Sequence, residues 1–404
     1  MVDYLARTNP CPYDITIEGS SKSYLLTKEF GPMFDMACGI AVNNLGHSYL
    51  PIIKAARKSV GSYRHINVYG EFNISEQLEY AELLAERFST LTMANGISEE
   101  NKVWFCTSGT EANELAMKLA TLSTASKLKR GFIALTGGFH GRTLGSLSLT
   151  QKELYREPFS WMVKAGLTTW IEPGEEIPKE FKTRSAFFME LVQGEAGVIP
   201  LDPEWATYVS NWCRENEVLL VVDEVQTGFG RTGTHFALDQ YQGVKPDIIT
   251  LGKALGGGYP LGAVISSSNR FKSISEENPF THLSTFGGNP IACAAGIQMF
   301  KGTEKKKLLQ NVNDGNILAH NVFKESESGA HLRGLGLMLG LVLDDETDID
   351  EVVQNIWKNN VFCGRVLYGS NTIRLYPPLN TTPSDIYNKV RRVEEAVLVS
   401  RKRK

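Results

Sequence analysis

Short apolar runs alternate with longer segments of helical spacing through the middle of the chain. The runs are typical of strands buried on both faces, and the longer segments place an apolar residue every three or four positions. The predicted strands are Val103–Cys106, Gly131–Leu135, Ser185–Val192, Val218–Val222 and Ile248–Leu251, and the predicted helices include Ser75–Phe88, one starting at Ser108, and Glu204–Asn216. Consecutive strand and helix units predict an α/β domain with a mainly parallel sheet and helices on both of its faces.

The pattern changes after Pro290, where a smaller α+β domain is expected. Its predicted elements are a long helix from about Ala292, a strand at Arg333–Leu343, a helix at Ile349–Lys358, strands at Val361–Leu367 and Thr372–Leu375, and a helix at Ser384–Val399. We therefore expect three parts. Residues 1–45 form an N-terminal segment that contributes to the small domain, residues 46–295 form the large domain, and residues 296–404 form the small domain.

Composition narrows the classes of protein that fit this pattern. The 404 residues are 42% hydrophobic and 22% charged, as in ordinary globular proteins, and the net charge of -3 gives no basic field for nucleic acid. The six cysteines are scattered without a C-x-x-C pair, so neither a zinc site nor a disulfide framework is expected. We recognise no signal peptide, transit peptide or membrane-length apolar run, so we expect a cytoplasmic protein that binds neither membrane nor metal.

The candidate chemistry is organised around Lys253. The strand Ile248–Leu251 leads to this lysine, and Gly256, Gly257 and Gly258 follow it closely. A desolvated lysine has a lowered pKa and can form a Schiff base, while glycines let backbone approach a bound molecule. The alternative is a surface lysine at the end of a strand, and this stretch alone does not decide between the two.

Two further strand ends carry candidate chemistry. Ser108 and Glu111 form an S-x-x-E capping box, so a helix starts there, and Gly109 permits close approach to its free N–H groups. Such a helix start can bind phosphate, although an ordinary capped helix has the same pattern. Asp223 ends the most strand-like run of the chain, where a carboxylate is costly unless a positive group meets it.

Two loops complete the set of candidates. Phe139, His140 and Arg142 lie in a glycine-rich turn after the strand Gly131–Leu135, and Glu195 lies at the tip that follows the strand Ser185–Val192. Loops at the ends of strands in an open α/β sheet are where ligands bind. The alternatives are a solvated turn with an exposed arginine and a strand-end carboxylate in solvent.

The segment Gly228–Gly233 fits the pattern G-x-G-x-x-G and suggests a nicotinamide-dinucleotide site. That fingerprint needs its first glycine directly after a strand and a helix that opens at the glycines. Here the residues DEVQT intervene and no convincing helix follows. Dinucleotide binding is therefore disfavoured.

Taken in order, the motifs of the chain resemble those of the class III (ω-amino acid type) aminotransferases. The pattern is closest to the acetylornithine and ornithine aminotransferases, and it covers nearly the whole chain. The matching motifs are LGH at Leu45, SGTEAN at Ser108, FHGRTLG at Phe139, QGEAGV at Gln193, DEVQTGFGRTG at Asp223, DIITLGKALGGGYPLGA at Asp247, STFGGNP at Ser284, RGLGLMLG at Arg333 and IRLYPPL at Ile373. The resemblance implies a pyridoxal 5′-phosphate (PLP) enzyme of fold type I, the fold of aspartate aminotransferase.

The resemblance also implies how the cofactor is held. Lys253 is then the Schiff-base lysine and the acid/base that moves the substrate proton, and Asp223 pairs with the pyridinium nitrogen of the cofactor. The remaining implied contacts are Gln226 to the phenolic oxygen, Phe139 on the ring face, Ser108, Gly109 and Thr110 at the phosphate, and Thr285 at the phosphate of the other subunit's cofactor. The last contact implies a homodimer with active sites at the interface.

Substrate binding is implied for four residues. Arg142 and Arg374 match positions where the family binds carboxylates, and Ser284 lines the substrate pocket. In the ornithine-type enzymes a glutamate at the position of Glu195 masks the arginine at the position of Arg374 until a dicarboxylate enters. The alternative for Arg374 is a structural ion pair. The loop of residues 65–73 should cover the substrate side, but it matches no known specificity.

The resulting expectation is an aminotransferase that moves a terminal amino group from an acetylornithine- or ornithine-like donor to 2-oxoglutarate by a ping-pong mechanism. Other ω-amine donors remain open, namely 4-aminobutyrate, a diamine or a biosynthetic amine. A PLP-dependent aminomutase or racemase and a non-catalytic PLP-binding protein are further alternatives. The residues Arg142, Glu195 and Arg374 favour the transferase, because an isomerase does not alternate with a dicarboxylate.

Overall fold

A computed structural model describes residues 4, 6, 8, 13–62, 65–66, 70–89, 100–124, 128–162, 166–369 and 371–401. Residues 67–69, in the loop expected on the substrate side, lie outside the described residues. Five of the six cysteines are described, and each is a buried thiol without a disulfide. Within the described part of the chain, no helix is both long and apolar enough to cross a membrane.

A seven-stranded sheet forms the centre of the larger part of the molecule. Its strands lie side by side in the order Asn101–Cys106, Gly262–Ser267, Ile248–Leu251, Leu219–Asp223, Ala186–Met189, Phe132–Leu135 and Thr168–Ile171. Only Gly262–Ser267 runs against its neighbours, so the prediction of a mainly parallel sheet is confirmed. Two strands, Thr168–Ile171 and Gly262–Ser267, were absent from the sequence prediction.

Helices cover both faces of this sheet, and two buried apolar clusters lie between sheet and helices.

The α-helices of the whole described chain, those of the smaller part included, are Leu50–Ser62, Ser75–Ser89, Gly109–Ser123, Leu144–Ser148, Glu153–Arg156, Pro203–Glu215, Ser268–Ser275, Pro290–Thr303, Lys306–Lys324, Ile349–Lys358 and Pro383–Arg401. Short 3-10 helices span Glu157–Phe159, Lys179–Thr183, Ala237–Gln240 and Lys253–Gly256. The long helix expected from about Ala292 is in fact two helices, Pro290–Thr303 and Lys306–Lys324.

A separate hydrophobic core contains residues from the N-terminal strands and from the C-terminal part of the chain. The strands Ile17–Ser21, Tyr24–Thr27 and Gly31–Asp35 form a sheet whose last member is Val361–Phe362. The apolar residues Met33, Phe34 and Met36 pack with buried residues from the helices near the C-terminus. The assignment of residues 1–45, 46–295 and 296–404 to domains stays a prediction, and the helix Pro290–Thr303 runs through the second boundary.

Two apolar runs that contribute to the second small sheet were each predicted as one strand but are each divided into two strands. The run Arg333–Leu343, predicted as one strand, is a hairpin of His331–Leu335 and Met338–Val342 that turns at Gly336, where φ is +55°. The sheet continues with Thr372–Leu375 and Gly364–Arg365. The run Val361–Leu367 is likewise split, because Val361–Phe362 and Gly364–Arg365 belong to different sheets. An apolar run shows no change in pattern where one strand ends and the next begins. The two strands can therefore be separated only by locating the turn between them.

A further small sheet and an unusual turn lie among these elements. Val192–Gln193 pairs with Ile199–Pro200, so the predicted strand Ser185–Val192 ends at Met189 and a second short strand starts at Val192. The residues Cys38–Ala41 have φ angles between +50° and +62° and form one left-handed turn. The segment Gly228–Gly233 lies in turns and opens no helix.

Candidate active site

The predicted site residues lie at the edge of the large sheet where its parallel strands end. Asp223 is the last residue of its strand, Lys253 is the second residue after the strand Ile248–Leu251, and Ser108 is the second residue after Asn101–Cys106. Because carboxyl ends of parallel strands meet at one edge, three sites that are distant in the sequence come together.

Two glycines bring the Lys253 turn against the start of the helix Gly109–Ser123. A Cβ atom at Gly252 would lie 3.0 Å from the backbone nitrogen of Gly109, and a Cβ atom at Gly109 would lie 2.7 Å from a methyl group of Val225. Larger residues would therefore separate the two turns. Lys253 itself has φ of +48°, a strained conformation for a residue other than glycine. Such strain is concentrated at functional sites.

Burial makes the amine of Lys253 less basic than an exposed lysine. Loss of water around the amine lowers its pKa, and the positive charge of Arg374 acts in the same direction. The carboxylates of Glu195, Glu190 and Asp223 act against this shift without reversing it. A lowered pKa increases the fraction of neutral amine, which is the nucleophilic form.

Asp223 is held by three donors. Its Oδ2 atom accepts hydrogen bonds from Nδ2 of Asn113 and from Nδ1 of His140, both at 2.8 Å, and Oδ1 accepts from the backbone N–H of Val225 at 3.0 Å. Burial by itself lowers the pKa of His140, but the hydrogen bond and charge of Asp223, together with Glu190, outweigh it and raise the pKa. The raised pKa favours the protonated, positively charged form of His140 beside this carboxylate.

Glu190 is a buried carboxyl group that the sequence analysis did not single out. Its Oε2 atom accepts a hydrogen bond from the N–H of Phe139 at 2.9 Å. Burial raises the pKa of Glu190, and Asp223 adds to the rise, while His140, the Phe139 N–H and Lys253 oppose it. One signal was present in the sequence, since a glutamate interrupts the otherwise apolar run of residues 186–192.

The start of the helix Gly109–Ser123 differs in one respect from the predicted capping box. Ser108 accepts from the N–H of Glu111 at 3.4 Å, as predicted. The Glu111 carboxylate, however, accepts from the N–H of Thr107 at 2.9 Å and from the hydroxyl of Ser284 at 3.0 Å. Ser284 therefore lies at this helix start, and Thr110 lies beside it with its hydroxyl 2.6 Å from that of Ser146.

Glu195 and Arg374 form a buried ion pair. The Nη2 atom of Arg374 lies 2.6 Å from both carboxylate oxygens, and the N–H of Leu367 donates to Glu195 Oε2 at 3.1 Å. Gln226 lies beside the pair, because its Nε2 atom is 3.3 Å from Glu195 Oε1 and its Oε1 atom accepts from the Tyr376 hydroxyl at 2.9 Å. The charged pair thus shares a hydrogen-bond network with a residue expected to contact the cofactor.

An aromatic group surrounds the other predicted substrate arginine. The guanidinium carbon of Arg142 lies 3.7 Å from the centre of the Tyr155 ring and 5.3 Å from that of Phe139. Tyr368 lies near both rings, with centroid distances of 5.9 and 6.4 Å. Cations over aromatic faces are attracted by the ring quadrupole, so these rings restrict where Arg142 can point.

The last predicted contact, Thr285, lies in an exposed turn before the helix Pro290–Thr303. The residues that sequence reasoning missed are Asn113, Tyr376 and Glu190, and it named His140 without predicting its contact with Asp223. Asn113 and Tyr376 lie inside quoted motifs, but nothing in one sequence indicates which residues they contact.

Comparisons with known proteins identify the family of this chain. The model of the family "Aminotransferase class-III" matches residues 5–397. The acetylornithine aminotransferase of Clostridium acetobutylicum is 31% identical, with 95% of this chain and 97% of that protein covered. The acetylornithine aminotransferase of Methanosarcina mazei is 36% identical, with 90% of this chain and 86% of that protein covered. The chain belongs to the class III aminotransferases.

Solved structures show the same fold as this class III aminotransferase. The N-acetylornithine aminotransferase of Stenotrophomonas maltophilia has a TM-score of 0.79 at 26% identity, with 97% of this chain and 98% of that chain covered. The ornithine aminotransferase of Toxoplasma gondii has a TM-score of 0.88 at 24% identity, with coverage of 99% and 93%, and shows the fold alone. The chain is therefore a PLP-dependent transaminase of fold type I.

The residues of this class III aminotransferase fit PLP. The N–H groups at the start of the helix Gly109–Ser123 would suit a phosphate, because helix N-termini bind anions. Asp223 would offer a carboxylate to the pyridinium nitrogen, and Lys253 would offer an amine of lowered pKa to the aldehyde. The described residues therefore include a group that suits each of these parts of the cofactor.

Proposed function

We propose that the chain transfers the terminal amino group of an acetylornithine- or ornithine-like donor to 2-oxoglutarate, giving an aldehyde and glutamate by a ping-pong mechanism. The observation that carries the proposal is the buried pair of Glu195 and Arg374, which shares the site with Lys253. The two curated relatives described above carry the name acetylornithine aminotransferase, which supports the choice of donor.

Alternation between two substrates explains the use of a buried ion pair. While Glu195 neutralises Arg374, the site can accept a donor whose reacting end carries no second carboxylate. When Glu195 moves away, Arg374 can bind one carboxylate of 2-oxoglutarate, since guanidinium groups suit carboxylates. Arg142, restrained by aromatic rings, is proposed to bind the other carboxylate, and Ser284 lines the same space.

Bound PLP supplies an electron sink that stabilises negative charge on the carbon next to the transferred nitrogen. The proposed roles of the protein concern how it would hold this group. Lys253 would bind the aldehyde carbon and move the substrate proton, Asp223 would keep the ring nitrogen protonated, and Phe139 and Gln226 would orient the ring. Ser108, Gly109 and Thr110 would bind the phosphate. His140, Asn113 and Val225 hold Asp223 in position.

The proposal includes a homodimer in which Thr285 reaches the phosphate of the partner subunit's cofactor. Thr285 lies on an exposed turn, beside the large exposed side chains of Leu283 and Phe286. Exposed apolar groups beside a site residue support an interface between subunits. Sedimentation of the PLP-loaded protein would test this part, and a monomer at micromolar concentration would contradict it.

The donor is tested by the visible absorption of the PLP-loaded protein. We expect N-acetylornithine or ornithine to bleach the yellow band fastest at low concentration, and 2-oxoglutarate to restore it while glutamate forms. Faster bleaching by 4-aminobutyrate or a diamine would show that the preferred donor is another ω-amine. Isomerised product without consumption of 2-oxoglutarate would instead establish an aminomutase or racemase.

A further inference from the structure

A chain of hydrogen bonds runs from Tyr376 through Gln226 to Glu195. The distances are 2.9 Å from the phenol to Gln226 Oε1 and 3.3 Å from Gln226 Nε2 to Glu195 Oε1. All three side chains are buried. Because a carboxylate can only accept, the amide nitrogen of Gln226 must face Glu195, which leaves its oxygen for a donor. Tyr376 supplies that donor and fixes the orientation of the amide.

We propose that Tyr376 is a positioning residue that sets how readily Glu195 leaves Arg374, and thereby sets the preference of the enzyme between an ω-amine donor and a dicarboxylate. The inference rests on the proposed function, in which Glu195 moves away before 2-oxoglutarate binds. Tyr376 acts through Gln226, which donates to Glu195 while Glu195 is paired with Arg374. This paired state is the closed arrangement.

The ring of Tyr376 has a second contact with the same pair. The guanidinium carbon of Arg374 lies 5.4 Å from the ring centre, and that of Arg231 lies 5.6 Å from it. Arg231 is fully buried and donates to two backbone carbonyls and to Asn44. Because the ring attracts both guanidinium groups, it supports Arg374 whether or not Glu195 is paired with it. The hydroxyl favours only the closed arrangement, so ring and hydroxyl have separable effects.

Tyr376 is held firmly enough to position its neighbour. Its backbone N–H donates to the carbonyl of Met36 at 2.6 Å, and its side chain packs in a buried cluster with Ala41, Val192 and Met338. Burial raises the pKa of the Tyr376 hydroxyl, against the opposing charge of Arg374. The raised pKa favours the protonated phenol, which is the form that donates to Gln226.

The variant Tyr376→Phe removes the hydroxyl and keeps the ring. We expect the affinity for glutarate, a dicarboxylate without reacting groups, to rise about fivefold in calorimetric titrations of the PLP-loaded protein, as loss of one ordinary hydrogen bond predicts. The KM for 2-oxoglutarate should fall by the same factor. The KM for the donor and kcat should change less than about twofold, because the closed arrangement remains the main state.

Tyr241→Phe is the matched control, since its buried phenol donates to the carbonyls of Leu191 and Leu201 away from the ion pair. It should lower Tm without changing the affinity for glutarate. If Tyr376→Phe does not fold, Tyr376→Met, which removes the ring together with the hydroxyl, tests whether this residue affects the affinity for glutarate at all. Unchanged glutarate affinity in a folded Tyr376 variant overturns the inference. Failure of the wild-type protein to bind glutarate or to use 2-oxoglutarate overturns the proposed function instead.

Discussion

Arg374 holds Glu195 through one nitrogen only. Nη2 lies 2.6 Å from both carboxylate oxygens, while the buried Nε atom has no partner among the described residues. Each side chain is 5% exposed, so the two charges depend on one another rather than on water. The unused donor leaves Arg374 able to bind a second acceptor.

Replacement of Glu195 by glutamine should unmask Arg374. A buried charge that loses its partner costs about 3–5 kcal/mol, so Tm should fall clearly. Glutarate should then raise the Tm of Glu195→Gln more than that of the wild type, because it supplies the missing carboxylate. Thermal unfolding with and without glutarate measures both effects.

Asp247→Asn provides the control for that experiment. Asp247 pairs with Arg270 Nη2 at 2.5 Å, and it lies at the opposite end of its strand from Lys253. Its loss should lower Tm with no added response to glutarate. Equal glutarate shifts in the wild type and in Glu195→Gln would contradict the masking role.

Replacement of Arg374 by lysine should weaken binding of the acceptor. An ammonium group lacks the planar fork that suits a carboxylate, and a hydrogen bond to a charged group contributes about 1.5–3 kcal/mol. We expect the KM for 2-oxoglutarate to rise about 10- to 100-fold, with a smaller effect on the half-reaction with the donor. Arg365→Lys, in a more exposed pair with Asp350, should leave both unchanged. An equal loss for both substrates would show that Arg374 only stabilises the fold.

The sequence was informative where a polar residue breaks an apolar run. Asp223 ends one strand and Lys253 closely follows another, and both strands were predicted from apolar runs. Because parallel strands end at one edge of a sheet, the proximity of these two residues could be predicted. The same rule would have found Glu190, but the run around it was interpreted as a continuous strand. The strand was predicted to end at Val192 but ends at Met189. This error and the failure to notice Glu190 have the same cause.

Contacts between distant residues could not be foreseen in the same way. Tyr376 and Gln226 are 150 positions apart, and His140 and Asp223 are 83 apart. Their pairing depends on how two small sheets meet the large one, and periodicity gives no information on that packing. Motif resemblance named Gln226 for the cofactor but gave no indication that its amide also holds Glu195.

Lys253→Ala should abolish both colour and turnover. Without the amine there is no Schiff base and no group to move the proton, and positioned acid/base groups alone contribute about 10²- to 10⁴-fold in rate. Absorption spectra and single-turnover rates with the donor measure the two losses. Lys245→Ala, in the segment that precedes the strand Ile248–Leu251, should retain both. Normal absorption in Lys253→Ala would show that another lysine forms the Schiff base.

The pair of His140 and Asp223 should affect the pH dependence of stability. Because the pKa of His140 is raised in the folded protein, its contribution is complete below the ordinary value of about 6.5 and is lost as the pH rises through the folded value. The difference in free energy of unfolding between wild type and His140→Gln, measured with urea on PLP-free protein, should therefore be largest near pH 6 and decline above it. A difference that falls as the pH drops below about 6.5 would instead mean that the folded protein lowers the pKa of His140 and keeps its ring neutral. Asp223 would then be held by uncharged donors alone, those of His140, Asn113 and Val225.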